Sequence, residues 1–317
     1  MDITWLINHN CNYNCPYCIN NSKEIKKIVS NKKELSKKKI KDPEVFYEFF
    51  DSLKLPCKIN IGGGEPFLEE RFIETCKNIT KKHEISIITN LSSDKIYEFA
   101  KKINPKKVMF INASFHWTEI NNEAKLKDFI KKYRYLKSKG FRISSTIVMW
   151  PPVFPKFNYI YNRLKKEGIY LRPVSFYGNF KNKNYPDSYN KNQLKFMKKF
   201  SDYSIKNLDK KNIEEYKMDI IKNSLSFKGI LCSSGKDHII IDSNGNIRKC
   251  LSSFDIIGNI LEKKWTPNKN YAICKENICR SHREGLKFSF NNFKNKNIKK
   301  SHNIRKKINN FLNYLIE

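Results

Sequence analysis

Short runs of β-branched and apolar residues alternate with longer segments of helical pattern through the first half of the chain, and this alternation constrains the fold most. The runs are ITWLIN (3–8), KINIG (58–62), EISIIT (84–89), KVMFINASF (107–115), FRISSTIVMW (141–150) and YLRPVSF (170–176). Between them PEVFYEFFDSL, ERFIETCKNITKK, SDKIYEFAKKI and AKLKDFIKKYRYLKSKG place apolar residues at helical spacing, and the last stops at Gly140 as a C-cap would. Strand alternating with helix predicts a parallel sheet with right-handed crossovers. Six such units predict an α/β fold, a partial (β/α)6 TIM-like barrel, whose chemistry sits at the carboxyl ends of the strands. That rule gathers the loop after the first strand, GGGEP, NLSS, NASFHW, MWPP and FYGN around one opening.

Beyond this core, expected over 1–180, the pattern changes. Residues 181–226 are Lys-rich and helical in pattern, as a connector would be. DHIIIDSNGNIRKC then reads as two strands joined by a turn at SNGN, which starts a smaller domain over 227–285. In the basic tail, 286–317, Ile304, Ile308, Phe311, Leu312 and Leu315 recur at helical spacing and predict a docked C-terminal helix. A second basic stretch, 22–42, reads as a solvated segment that could also gate a substrate.

The charge of +31, from 62 Lys plus Arg against 31 Asp plus Glu, would ordinarily suggest a polyanionic partner. The excess is mostly lysine, spread over the whole chain, while arginine, the usual reader of bases and phosphates, is scarce. Composition bias accounts for this better than a nucleic-acid site does. No run approaches the apolar length of a membrane span.

The first loop of the opening holds Cys11, Cys15 and Cys18, spaced Cx3Cx2C. Disulfide pairing would leave one of them over, and MDITWLIN lacks the features of a signal peptide, so a reducing, cytoplasmic setting is expected. A structural zinc site would need a fourth ligand, for which His9 is at hand. An iron-sulfur cluster held by three thiolates would instead leave one iron open for a ligand. A non-catalytic zinc or iron-sulfur protein that binds nucleic acid is a third reading, with a steep salt dependence as its mark.

Cx3Cx2C after a first strand and GGGEP after a second resemble the radical S-adenosylmethionine (radical SAM) superfamily over roughly residues 1–180. The resemblance implies that Cys11, Cys15 and Cys18 hold a 4Fe-4S cluster whose open iron chelates SAM. It implies that Tyr17 packs near the adenine, and that Gly62, Gly63, Gly64 and Glu65 bind the methionine ammonium. Glycine lets a backbone approach a ligand, and a carboxylate complements a cation. Asn90, Asn112, Ser114 and Ser145, at later strand ends, are candidates for ribose and carboxylate contacts. His116 and Tyr177 are candidates to hold a substrate or move a proton, while Cys57 and Cys76 read as packing residues.

The later part of the chain, with Cys232, Cys250 at G-x4-C spacing, GNI (258–260), Cys274 and Cys279, resembles the twitch extension, a shortened relative of the SPASM domain. That resemblance implies a second, auxiliary 4Fe-4S cluster on these four cysteines, with a zinc knuckle as the alternative. The Cx4C spacing of the last pair departs from the usual CxxC. The implied reaction is cleavage of SAM to a 5'-deoxyadenosyl radical that takes a substrate hydrogen, with an electron supplied by a flavodoxin- or ferredoxin-type donor. The first cysteine lies at residue 11, leaving no room before it for a leader-binding domain; this favours oxidation of a small hydroxylated, sugar- or cyclitol-like substrate. Peptide maturation or epimerisation is the alternative.

Overall fold

The middle of the first apolar run packs on a helix. The structure, a computed structural model, describes residues 1–19, 42–53, 55–205, 228, 231–253, 255–262, 264–268 and 270–276. In β1 (Asp2–Asn8) the ring of Trp5 lies 4.6 Å from Phe46 and 5.6 Å from Phe50 of α1 (Glu44–Ser52), centroid to centroid. Ile3 and Ile7 share that buried face by the period of the strand, and Thr4, Leu6 and Asn8 take the other.

β2 (Lys58–Gly63), β3 (Glu84–Thr89), β4 (Val108–Ser114), β5 (Ile143–Val148) and β6 (Leu171–Val174) follow β1 side by side in chain order, all parallel. Four more helices lie between them: α2 (Phe72–Ile79), α3 (Lys95–Lys102), α4 (Glu123–Ser138) and α5 (Phe154–Lys165). Helix α4 shows how the sequence sets the ends. The Asn122 side chain accepts the Lys125 N–H, and Gly140 follows the last turn at φ +83°. The helices bury an aromatic layer in which Phe67 meets Phe72 and Phe99 at 4.8 and 5.5 Å.

After β6 comes a hairpin for which the sequence reading had no strand. Lys181 and Asn182, both at positive φ, join β7 (Gly178–Phe180) to β8 (Lys183–Tyr185), the backbone form that two-residue hairpin turns require. Helix α6 (Lys191–Ile205) lies within the expected connector.

The turn expected at SNGN joins β10 (His238–Ile241) to β11 (Asn246–Arg248), after the short β9 (Leu231–Cys232). Asp242 fastens the turn by accepting the backbone N–H groups of Asn244 and Asn246. Strand β10 pairs with β1 in parallel, Asp2 beside His238 and Trp5 beside Ile241. With β12 (Ile256–Asn259) and β13 (Lys264–Trp265) added antiparallel, the sheet reaches ten strands in the order β13-β12-β11-β10-β1-β2-β3-β4-β5-β6. Among the described residues its ends, β13 and β6, do not pair, so the sheet is open. β14 (Ala272–Ile273) pairs with β9 in a separate ladder. Cys279, the predicted C-terminal helix and nearly all of the 22–42 stretch lie outside the described residues. Among the described residues no helix is long and apolar enough to cross a membrane.

Candidate active site

The cysteine loop leaves β1 and is seated on GGGEP by its own backbone. A Cβ on Gly64 would lie 1.9 Å from Asn10 O, and one on Gly63, at φ +126°, would lie 2.2 Å from Asn8 O. No side chain can fit in either place. The Gly64 N–H donates to Asn8 O at 2.9 Å, the Glu65 N–H to Asn10 O at 2.8 Å, and Asn8 Nδ2 returns a bond to Glu65 O at 3.1 Å. Gly62 is different, since a Cβ there would meet Ile88 at an ordinary 3.7 Å.

Glu65 is buried, and its carboxylate accepts three protein donors. Oε1 accepts the Phe67 N–H and the Thr89 hydroxyl, and Oε2 accepts the Asn90 N–H at 2.7 Å. Burying a carboxylate costs several kcal/mol, and three bonds to a charged acceptor at about 1.5–3 kcal/mol each offset that cost. Burial still holds its pKa above the usual carboxylate value, against the lowering effect of the Asn90, Thr89 and Phe67 donors. The side chain therefore locks the end of β3 to the turn after β2.

Of the three loop cysteines Cys15 is buried, Cys18 partly so, and Cys11 exposed; none is in a disulfide. The Cys18 N–H donates to Cys15 O at 3.0 Å and tightens the turn between them. Cys11 Sγ accepts the Tyr13 N–H at 3.4 Å and lies 3.8 Å from Asn90 Nδ2. Burial pushes the Cys15 thiol up to about 12 and raises that of Cys11 as well, so at neutral pH both keep their protons until a metal displaces them. Among the described residues no three His, Cys, Asp or Glu side chains converge as a ready metal-binding group. In donor chemistry the loop fits a three-thiolate centre: three thiols on one loop, with Cys18 close enough to raise the pKa of both others and N–H donors already aimed at Cys11.

An aromatic wall borders the loop. The His116 ring stacks on Tyr17 at 5.9 Å and 19°, with the Tyr17 hydroxyl 3.3 Å from His116 Nδ1, and Tyr13 meets the same ring edge-on. Trp150 lies 5.6 Å from Tyr17 and 5.2 Å from Phe180 of the hairpin. Tyr13, Trp150 and Phe180 carried no motif of their own and became visible only once the strand ends were brought together. Burial lowers the His116 pKa to about 4, so the ring is neutral at physiological pH. Its ordinary value is 6.5, so between pH 6.5 and 4 the unfolded chain takes up a proton that the folded one refuses. Stability of the metal-free protein should therefore fall as pH drops through that window. His116→Gln should flatten the fall by roughly 1–3 kcal/mol, read from denaturant titrations at a series of pH values.

Strand parity sorts the remaining candidates. Asn112 and Ser114 of β4 pair in register with Ser144 and Thr146 of β5, and the Thr146 hydroxyl donates to Asn112 Oδ1 at 3.0 Å. Phe115, on the other face, packs edge-on against Phe129 of α4, which makes that the helix side. Ser145 belongs to the helix side: it is fully buried and donates to Ala113 O at 2.8 Å. Of the four polar candidates the structure thus brings Asn112 and Ser114 to the inner face with Thr146, puts Asn90 beside Cys11, and turns Ser145 away. Arg172 of β6 is in register with Thr146 and buried. Tyr177 is half-buried just after β6, where the neighbouring Tyr189 hydroxyl donates to Met149 O and accepts the Phe176 N–H.

The sequence match agrees with this placement: residues 5–159 match the profile of the Radical SAM superfamily. These residues form a radical SAM domain. Radical SAM cyclopropyl synthase TigE from Paramaledivibacter caminithermalis is 29% identical over 174 residues, 49% of this chain and 37% of the relative. An S-adenosylmethionine-dependent nucleotide dehydratase from a Fibrobacter species is 37% identical over 90 residues, 28% of this chain and 26% of the relative. The chain thus matches well under half the length of these curated relatives. Native anSMEcpe with bound AdoMet superposes with a TM-score of 0.57 at 17% identity, covering 82% of this chain and 78% of that one. Streptococcus suis SuiB bound to its precursor peptide SuiA gives 0.52 at 14% identity, covering 82% and 62%. These two likenesses are of fold. The radical SAM family implies a 4Fe-4S cluster and SAM.

Beyond the radical SAM domain, three further cysteines lie on segments that meet. Ala272 pairs with Cys232 in the β9–β14 ladder, two residues before Cys274. Lys249, next to Cys250, approaches the same segment so closely that a Cβ on Gly235 would lie 3.2 Å from Lys249 Cβ. Cys232 Sγ accepts the Ser234 N–H at 3.5 Å and Cys250 Sγ the Ser253 N–H at 3.1 Å, the pattern also seen at Cys11. Cys57 and Cys76, by contrast, are buried in the core.

Proposed function

We propose that this chain is a radical SAM oxidoreductase that removes two electrons from a small hydroxylated, sugar- or cyclitol-like substrate. The observation that carries the radical SAM part is the seating of the Cx3Cx2C loop on Gly63 and Gly64 at the carboxyl ends of β1 and β2. When bound, the cluster and SAM supply one-electron cleavage of the sulfonium, which yields methionine and a 5'-deoxyadenosyl radical able to take a hydrogen atom. Cys11, Cys15 and Cys18 would hold that cluster. Tyr17, Gly62, Gly63, Gly64, Glu65, Asn112 and Ser114 would contact SAM. The inner face of amides and hydroxyls on β4 and β5, with Trp150 as a flat apolar partner, suits a ligand rich in hydroxyl groups. His116, neutral, and Tyr177 orient the substrate.

The electron count closes with a second centre. One electron enters from a flavodoxin- or ferredoxin-type donor, a hydrogen atom leaves the substrate for 5'-deoxyadenosine, and the remaining electron and proton go to an acceptor and to solvent. Cys232, Cys250, Cys274 and Cys279 would hold the acceptor, an auxiliary 4Fe-4S cluster in a twitch-like extension. The meeting of the segments that carry Cys232, Cys250 and Cys274 around 232–235 supports this reading. Cys250→Ala is expected to keep substrate-independent SAM cleavage while product formation is lost; unchanged product yield would remove the acceptor role. Fractionated host extract tests the substrate class: stimulation of 5'-deoxyadenosine formation by small molecules supports it, and stimulation by peptides alone transfers the assignment to a peptide-modifying enzyme.

A further inference from the structure

Asn90 is a strand-end candidate whose side chain reaches Cys11 of the loop. It is buried at the end of β3, and each of its polar groups has a distinct partner. Oδ1 accepts the Ser92 N–H at 2.9 Å. Because that partner can only donate, the amide is fixed with Nδ2 towards the loop, where it donates to Asn12 Oδ1 at 3.1 Å and points at Cys11 Sγ at 3.8 Å. The backbone N–H of Asn90 is held by Glu65 Oε2.

The support continues outward. Asn12 Nδ2 donates to Ser92 Oγ at 2.8 Å, and Ser92 O accepts from Lys132 Nζ at 3.0 Å. Lys132 is itself buried and paired with Asp128 and Asp94. One chain of hydrogen bonds therefore runs from α4 through the β3 loop to Cys11.

We propose that Asn90 is a positioning residue for Cys11, and that its amide N–H, together with the Tyr13 N–H, sets the reduction potential of the cluster that Cys11 holds. This rests on the three-cysteine reading above. Hydrogen bonds to a ligating sulfur stabilise the more negative, reduced cluster and so raise its potential.

Asn90→Asp removes the donor to sulfur while a carboxylate still accepts the Ser92 N–H. Asn90→Ala, which adds no charge and should move the midpoint the same way, separates loss of the donor from the effect of the new carboxylate. The measurement is an EPR-monitored redox titration of the anaerobically reconstituted full chain, with iron content and circular dichroism recorded on the same samples. The midpoint of Asn90→Asp should move to more negative potential, with the reduced fraction at fixed poise falling about threefold to tenfold. Asn90→Gln, which keeps the donor, should recover most of the shift. A folded Asn90→Asp protein that no longer loads iron, rescued by Asn90→Gln, would also support the positioning role. An unchanged midpoint, or a variant that fails to fold, overturns the proposal. Failure of the underlying reading looks different: the wild-type protein itself would then show no cluster signal.

Discussion

Alanine at Cys11, Cys15 and Cys18 together is expected to remove the first cluster and bring 5'-deoxyadenosine formation to background while the fold survives. Survival follows from position. The three residues lie on a loop beyond the last residue of β1, and the apolar faces that join β1 to α1 and β2 do not depend on them. Among the three, only Cys15 is buried, and its loss removes one small side chain. Iron content should fall to that of the remaining cysteines, and thermal unfolding of the metal-free triple variant should match that of metal-free wild type within a few degrees. A variant that unfolds would mean instead that the loop cysteines are structural.

The second large effect is expected at a glycine. Gly64→Ala forces a methyl group to 1.9 Å from Asn10 O, a contact with backbone that no rotamer change can relieve. The loop must lift, giving up the Gly64 N–H and Glu65 N–H bonds to Asn8 and Asn10. Overpacking together with two lost hydrogen bonds amounts to about 2–4 kcal/mol. The cysteines would no longer sit over the strand ends, so iron loading should fail along with stability. Gly62→Ala is the internal control, because its Cβ meets only Ile88 at 3.7 Å, and it should retain both. Equal behaviour of the two variants, read by iron content and melting temperature, would contradict the seating geometry.

The contrast between these glycines shows what the sequence could and could not say. GGGEP stood out as a turn where the backbone comes close to something, but three adjacent glycines look alike in sequence. Only the packing of β1 beside β2 makes Gly63 and Gly64 the seat of the cysteine loop. The alternation of apolar strands with amphipathic helices was legible because each unit is local; KVMFINASF at 107–115 became β4 (Val108–Ser114) with little change. The parallel docking of β10 on β1 was not, since it joins residues some 230 positions apart and leaves no local signal.

Ser145 shows the same limit on a smaller scale. Period-2 alternation separates Ser145 from Ser144 and Thr146, but with polar residues on both faces it does not say which face looks inward. The register of β4 with β5 decides, through Asn112 and Thr146. The position of Asn90 at a strand end suggests a SAM contact, and nothing in the sequence shows that its amide lies beside Cys11. The aromatic wall of Tyr17, His116 and Trp150 is assembled from the ends of three strands, so no stretch of sequence contains it.

Whether the first cysteine loop supports SAM chemistry is tested most directly by 5'-deoxyadenosine formation by the full chain. Protein reconstituted anaerobically with iron and sulfide is incubated with SAM and a strong reductant, and the nucleoside is quantified against the triple-alanine variant prepared in the same way. The predicted result is 5'-deoxyadenosine from the wild type, even without substrate, and none above background from the variant. Iron-loaded wild-type protein that forms no 5'-deoxyadenosine, or a variant that forms as much as the wild type, would contradict it.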